Sequence, residues 1–449
     1  MRILIENGII VTMDPSRSII HDGGIFIEQN TISDVGPSAR LRKDYDAEIV
    51  IDASEKAVFP GLINAHTHLS EKLVTGIVDD LPLFDWLDRL INPLIIHSTE
   101  DDCYWSALLG QVEMIKSGIT CFADLFDASH RRILEKLTQT VELSKMRGVL
   151  ARGIADCELP EEFPDDLSAN MIQDTVEAIT NRKRKTDDRV HIRFGIGAMF
   201  CSSPDLLKEI RKLAHEYEVG IHTHFSESAE EVKDLERVRG MRTIQYAHKN
   251  GVLGPDVMGA HCIWLSEEEI ELFRRTDTKA IYCPVSNMKL ADGVAPVPRM
   301  LKEGITVGLG TDGAGSNDNL DLITCMKFGS YLQKIHQLDA SLLPSQRILE
   351  IATIDGAKAL QLDRQIGSLE VGKRADLIVV NLTDPNMAPV HDVVKQFVCS
   401  GQPGNVDTVI IDGTVVMENR EIRTVDESMV VHKAWECAMN LLDRIGLDR

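Results

Sequence analysis

The chain reads as an α/β protein: a closed (β/α)8 barrel of the TIM type carrying a small β-sandwich domain built from both chain ends. Three observations predict this. Between Phe59 and Leu362 eight short apolar segments alternate with longer amphipathic ones, the pattern of βα units on a parallel sheet. Runs of β character separated by turns come before and after that stretch. No G-x-G-x-x-G follows the first strand, which sets aside a dinucleotide-binding open sheet. The implied domains are residues 1–57, the first half of the sandwich; 58–364, the barrel; and 365–449, the second half with a C-terminal helix.

The first 57 residues hold Ile3-Leu-Ile, Ile9-Ile-Val-Thr, Gly24-Ile-Phe-Ile, Thr31-Ile-Ser-Asp-Val-Gly and Glu48-Ile-Val-Ile-Asp, short β runs with turns between them. The barrel strands are expected at Phe59–His66, Gly118–Leu125, Gly148–Asp156, Val190–Gly197, Val219–Phe225, Val257–Cys262, Lys279–Pro284 and Ile305–Asp312. Helical periodicity marks Tyr104–Lys116, Pro204–Glu218, Glu231–Lys249 and Leu343–Leu360, and a charged excursion with its own helix runs from Glu158 to Asp188. Ala375-Asp-Leu-Ile-Val-Val-Asn and a hairpin turning on Asp412-Gly413 return to β character. A helix at Glu427–Arg444 follows and is expected to pack outside.

Composition narrows the function classes. Seventy acidic against 48 basic residues leave a net charge of −22 over 449 residues, a surface that repels phosphate backbones and anionic membranes. No run approaches the ~18 apolar residues of a membrane span. Met1-Arg-Ile-Leu-Ile-Glu6 breaks too early for a signal peptide. The nine cysteines never form C-x-x-C, so neither a disulfide framework nor a thiolate zinc site is indicated, and a cytoplasmic enzyme is expected.

The chemistry is carried by strand ends. His66 and His68 are two apart, so in an extended strand both imidazoles face one way. A lone His-x-His is as well explained by a chance pair on a strand. Partners decide the matter: His224 ends the fifth strand, with Glu227 three residues on; His261 ends the sixth; Asp312 ends the eighth. In such a barrel these ends share one rim. Three imidazoles and a carboxylate, His66, His68, His224 and Asp312, would hold one divalent ion with a position left for water, which would ionise near pH ~7 instead of ~15.7. Glu227 is placed to move protons as general acid–base, His261 to polarise the nucleophile, and Asp312 to accept a proton as well as bind metal. His222 shares the face of His224 but lies deeper, where a hydrogen-bonded core histidine is the simpler reading. Cys201, Cys262 and Cys283 read as buried apolar thiols. Trp86 is either a core anchor or a stacking wall for a flat ring.

Pro60-Gly-Leu-Ile-Asn-Ala-His66-Thr-His68, His224-Phe-Ser-Glu227, Ala260-His261-Cys262, Pro284-Val-Ser-Asn287, Gly310-Thr-Asp312-Gly-Ala-Gly-Ser-Asn317 and Gly367-Ser-Leu-Glu-Val-Gly-Lys-Arg-Ala-Asp376 resemble the amidohydrolase superfamily. The branch is the one that holds atrazine and triazine hydrolases, methylthioadenosine/S-adenosylhomocysteine deaminases and guanine deaminase. The resemblance implies a single ion, zinc or else iron, with the ligands and catalytic residues just named, and a homo-oligomer of two or four chains. The fourth strand has no lysine that could be carboxylated to bridge a second metal, so one ion is expected.

The resemblance further implies an aminohydrolase acting on an amino-substituted N-heterocycle of purine, pterin, pyrimidine or triazine type. The rivals are hydrolytic dechlorination, release of an alkylamine, and a non-catalytic barrel scaffold. The chain departs from the nucleoside deaminases where they touch substrate. Their Pro-His-Ala/Ser-Pro-Tyr motif is replaced by Gly197-Ala-Met199-Phe-Cys201, and their ribose-binding glutamate after Leu-Pro by Asn92-Pro93-Leu-Ile95, which weakens an adenosyl substrate. The C-terminal segment looks closest to atrazine chlorohydrolase. Trp86, Phe126, Arg152, Met199 and Asn287 are the candidate substrate-binding residues, Arg152 with a structural ion pair as its alternative.

Overall fold

The computed structural model describes residues 1–130, 132–164, 166–182 and 188–447; residues 165 and 183–187 of the expected excursion lie outside that set. Parallel strands and helices alternate through the middle of the chain. Leu62–Thr67, Ile119–Phe126, Arg147–Arg152 and Val190–Ile192 form one parallel sheet, and Phe194–Ala198, Ile221–Phe225, Val257–His261, Lys279–Tyr282 and Val307–Leu309 a second. The expected fourth strand is thus two pieces, parted at Arg193, whose guanidinium turns away to donate to Leu360 O at 2.6 Å. The two sheets touch along both sides: Gly197 N–H donates to Ile154 O at 2.9 Å, and Asp312 N–H to His66 O at 3.0 Å. Side chains of both sheets, among them Ile63, Cys121, Val149, Met258 and Ile281, meet in one buried apolar cluster.

Phe59 and Pro60 do not open the first parallel strand. They belong to Lys56–Pro60, which pairs with Leu377–Asn381 and with Ile9 and Ile10, and the parallel strand starts at Leu62. Gly61 makes the crossover, since a Cβ there would stand 2.0 Å from Thr120 Oγ1. Both chain ends contribute to one continuous nine-stranded sheet, ordered Glu421–Ile422, Thr414–Glu418, Val406–Ile411, Leu377–Asn381, Lys56–Pro60, Arg2–Val11, Ile19–Glu28 and Thr31–Pro37, with Ile49–Asp52 alongside Arg2–Val11. It wraps Ile3, Ile5, Ile25, Ile27, Leu377 and Ile410, all without exposure. The expected hairpin closes on Asp412 and Gly413, both at positive φ (49° and 71°), the pair of values a two-residue turn between twisted strands requires.

Two long helical expectations are each divided. Glu231–Lys249 becomes Ala229–Arg239 and Thr243–Lys249, because Gly240 caps the first in a left-handed conformation; Leu343–Leu360 becomes Ser345–Ile351 and Ile354–Ala359, parted at Thr353. Leu83–Trp86, a wider turn at Leu87–Ile91 and Asn92–His97 run on as one helical stretch over the site. Such widened turns recur at functional sites. The C-terminal helix, Glu427–Ile445, packs Ala434 and Leu441 against that stretch. Among the described residues no helix is long and apolar enough to cross a membrane.

Candidate functional site

The C-terminal ends of the parallel strands bring together what the sequence spaced far apart. His66, His68, His224 and Asp312 offer one ligand atom each, all within 4.8 Å of one another. Strand alternation aims His66 and His68 at the same point, their rings edge to face at 4.8 Å. Asp312 and His261 sit at positive φ (65° and 67°), as do Ser226 and Cys262 beside them. Non-glycine residues in that region cost of order 1–3 kcal/mol each and gather at functional sites. Here the turns follow the strands Ile221–Phe225, Val257–His261 and Val307–Leu309.

Each histidine of the cluster is tied at Nδ1. His66 Nδ1–H donates to His222 Nε2 at 2.8 Å, His68 Nδ1–H to Leu125 O at 2.6 Å with Asp127 Oδ2 also 2.8 Å away, and His224 Nδ1–H to Gly197 O. Those bonds fix the tautomers and leave the Nε2 lone pairs facing inward. His68 Nε2 lies 3.0 Å from His224 Nε2, and His66 Nε2 lies 3.0 Å from Asp312 Oδ1, yet neither His66 Nε2 nor Asp312 Oδ1 makes a hydrogen bond of acceptable geometry. Buried lone pairs facing one another at such distances are costly unless a cation stands between them. The donor set of three nitrogens and one carboxylate suits a divalent ion with an open position.

The charge states of His66, His224 and Asp312 agree with ligation. Burial holds His66 down to about 4 and His224 well below its ordinary value, so both are neutral, the form that binds metal. For His68 burial acts in the same direction but is outweighed by the Asp127 carboxylate, which raises it. Asp312 is kept ionised: its burial is more than offset by the adjoining His66 and His68 imidazoles. Its other oxygen, Oδ2, accepts from Ser286 at 2.6 Å and Ser316 at 2.8 Å.

Glu227 and His261 stand next to this cluster, Glu227 Oε1 3.5 Å from His261 Nε2. Burial, and after it the Asp312 charge, raises the Glu227 carboxyl well above the ordinary range, so it readily carries a proton. Asn287 Oδ1 accepts from His261 Nδ1–H at 2.9 Å, leaving Nε2 turned to the site.

A cavity of about 670 Å³ opens over the cluster, with His68, Glu71, His224, Glu227, His261 and Asp312 at its polar end. Its walls are chiefly apolar, with Trp86, Ile91, Ile95, Leu159, Phe163 and Phe200. Pockets of ~300–1,000 Å³ with this division of labour hold small organic ligands. Of the expected substrate residues, Trp86 lines it. Phe126, Arg152, Met199 and Asn287 do not, and the reason is burial: Phe126 and Met199 are fully enclosed, Arg152 donates to Asp174 at 2.9 Å and to Ala128 O, and Asn287 serves His261. Glu71 and Asp127 were not foreseen. The nearest signal for Glu71 is its place three residues after His68, on a tight turn that periodicity does not resolve.

Residues 57–416 match the model of the amidohydrolase family. The chain is 40% identical over 445 residues to the 5-methylthioadenosine/S-adenosylhomocysteine deaminase of Syntrophomonas wolfei, covering 99% of this chain and all of that one. Among solved structures it is similar to an adenosine deaminase from Xanthomonas campestris with bound zinc (TM-score 0.92, 27% identity, 98% of each chain). It also matches the atrazine chlorohydrolase of Arthrobacter aurescens TC1 complexed with zinc (TM-score 0.89, 23% identity, 97% of this chain and 100% of that one), a likeness of fold alone. Site geometry and family match coincide along the chain, which belongs to the amidohydrolase family.

Proposed function

We propose that the chain is a mononuclear, metal-dependent aminohydrolase that releases ammonia from an amino-substituted N-heterocycle. The observation that carries this is the convergence of three Nδ1-tied histidines and Asp312 beside the buried Glu227, whose raised carboxyl can both take up and release a proton. Relatives named as deaminases of adenosine-type compounds support deamination over dechlorination, since the chlorohydrolase likeness extends to the fold only. Ile95 and Gly197 line the cavity and offer no carboxylate or imidazole, whereas Asp88, Glu158 and Asp234 put carboxylates elsewhere in its wall; the amino-substituted ring is the part this reading assigns to the metal-ligand end. The eight-stranded reading of the two parallel sheets as one closed barrel, and of the nine-stranded sheet as a curled sandwich, belongs to the same proposal. It is supported by the hydrogen bonds between the two sheets on both sides.

In this reading His66, His68, His224 and Asp312 hold the ion, with zinc as the first choice from the zinc-bound adenosine deaminase neighbour. A divalent ion there supplies Lewis acidity that lets an attacking water ionise near neutral pH. Glu227, in its ionised form, takes the proton of that water and gives it to a ring nitrogen, then carries the remaining hydroxyl proton to the departing amine. His261 Nε2, held by Asn287, accepts a hydrogen bond from the nucleophile and fixes its direction. Apolar walls exclude bulk water and strengthen these charges. Two or four copies are proposed as the assembly, supported by an exposed apolar stripe, Phe328, Tyr331 and Ile335 on the helix Leu322–Gln337 with Leu338 at its C-terminal cap.

The test is metal analysis of protein purified without chelator, with ammonia and chloride assays across aminated and chlorinated purines, pterins, pyrimidines and triazines. The expected result is one bound ion per chain and ammonia from at least one ring. Chloride from a chlorinated ring with no ammonia from any amine would instead assign dechlorination. Protein that holds no transition metal, and gains no activity with zinc, iron or manganese, would assign the scaffold.

A further inference from the structure

Glu71 is a buried carboxyl without an evident structural need; burial raises it to about 8, and a donor from a ligand favours its ionised, accepting form. It is 3% exposed and lies on the turn Leu69–Val74, directly after the His66–His68 strand. One carboxylate oxygen, Oε2, accepts from Gly315 N–H at 2.9 Å; Oε1 has no hydrogen-bond partner among the described residues, and the side chain lines the cavity. The seat is built for it. A Cβ at Gly313 would stand 1.8 Å from Oε2, and one at Gly315 2.9 Å from Oε2 and 3.2 Å from Trp86 Cζ2, so glycine at both positions leaves room for the carboxylate between the turn after Asp312 and the Trp86 ring. A half-satisfied carboxyl kept in an apolar-walled cavity weakens the fold unless a ligand completes it. None of the steps assigned to Glu227 and His261 uses it.

We infer that Glu71 is a specificity-determining residue: its Oε1 accepts a hydrogen bond from a second N–H of the substrate ring, an additional exocyclic amine or a lactam N–H, while the reacting carbon lies over the metal cluster. The inference rests on the aminohydrolase reading of the site. It implies a preference for rings such as 2,6-diaminopurine over rings such as adenine, which share the imidazole N–H but lack the second exocyclic amine. A hydrogen bond to a charged group changes discrimination by about 10- to 100-fold.

The experiment uses the metal-loaded protein, Glu71→Met and Glu71→Gln, with adenine and 2,6-diaminopurine as paired probes. Both kcat/KM for ammonia release and Kd by titration calorimetry are measured, alongside metal content and thermal midpoint. Expected is a preference of at least ~10-fold for the diamino ring in the parent, lost in Glu71→Met through a fall for that ring alone and partly kept by Glu71→Gln, whose amide oxygen still accepts. Equal losses for both rings, or a parent that binds both alike or binds neither, would overturn it. If no ring amine yields ammonia, the aminohydrolase reading fails by itself; the Kd ratio and its response to Glu71→Met still decide whether Glu71 reads the N–H.

Discussion

The two ends of the parallel strand Arg147–Arg152 and its neighbours bury charge in opposite ways. At the start of that strand, facing the terminal sheet, Arg147 is fully enclosed and every guanidinium nitrogen is used: Nε and Nη2 reach Asp376 at 2.9 and 3.2 Å, Nη2 also reaches Asp412 at 3.4 Å, and Nη1 reaches Asp188 O at 3.5 Å. Asp376 additionally accepts from Asp412 N–H at 2.8 Å. At the other end His66 Nε2, Asp312 Oδ1, Asp124 Oδ2 and Asn287 Nδ2 are buried without a hydrogen bond. A saturated cluster holds the two layers together. An unsaturated one spends stability on lone pairs kept free for a ligand.

The contrast breaks most visibly at Glu227. Glu227→Gln should lower kcat for ammonia release by ~10²–10⁴-fold, because the amide can neither take nor return a proton. Metal content should hold, and the thermal midpoint should hold or rise, since a buried carboxyl is removed. A variant that unfolds and keeps its turnover would reverse the assignment of the two ends. Arg147→Met is the mirror experiment. It strands Asp376 without its cation, which should cost roughly 3–5 kcal/mol in denaturant unfolding, with kcat per folded molecule unchanged. If unfolding is unaffected, the seam is not held by this pair.

The same contrast sets what was legible in the sequence. His66 and His68 declare themselves through the two-residue strand period, and His224 and Asp312 through their place at the ends of apolar runs. Arg152 looked like a ligand for substrate because an arginine at a strand end is ambiguous until its partner is known. That partner, Asp174, lies 22 residues on in the excursion, and pairing across elements leaves no periodic trace. Leu159 and Phe163 of the same charged excursion supply cavity wall, hidden in sequence by their acidic neighbours. Phe59 read as barrel strand because an apolar run continues through Gly61; only the close approach to Thr120 shows where one sheet ends and the next begins.

Asp124 sharpens the comparison through pH. Its Oδ1 accepts from Leu69 N–H at 3.0 Å, its Oδ2 has no partner, and burial pushes the carboxyl up to about 7. In the unfolded chain it ionises near 4, so the fold prefers the proton more strongly than the coil does. The stability this contributes is complete below pH ~4 and drains away as pH rises to about 7. Asp124→Asn does not titrate. Relative to the parent it should gain stability between pH ~4 and pH ~7, by up to about 4 kcal/mol, and stay level above. Urea midpoints of both proteins at acidic and neutral pH measure the difference; a constant offset would show that Asp124 is already satisfied.

Asn287 gives the smallest expected effect and the finest test. It sits at the unsaturated end but supplies a satisfied bond, His261 Nδ1–H to its Oδ1 at 2.9 Å, while its own Nδ2 has no partner. It therefore positions His261 without touching the ring. Asn287→Ala frees the imidazole to rotate and change tautomer, which should lower kcat by ~10-fold or more, with KM nearly unchanged, as loss of an outer hydrogen bond to a working histidine does. Asn287→Asp keeps the acceptor and adds negative charge, which favours the imidazolium, so part of the rate should return with the acid limb of the kcat profile moved to higher pH. A packing role alone would lower the folded fraction and leave that profile in place. Parent-like kcat and pH dependence in both variants would mean that the His261 ring is held by its strand turn at positive φ and not by Asn287.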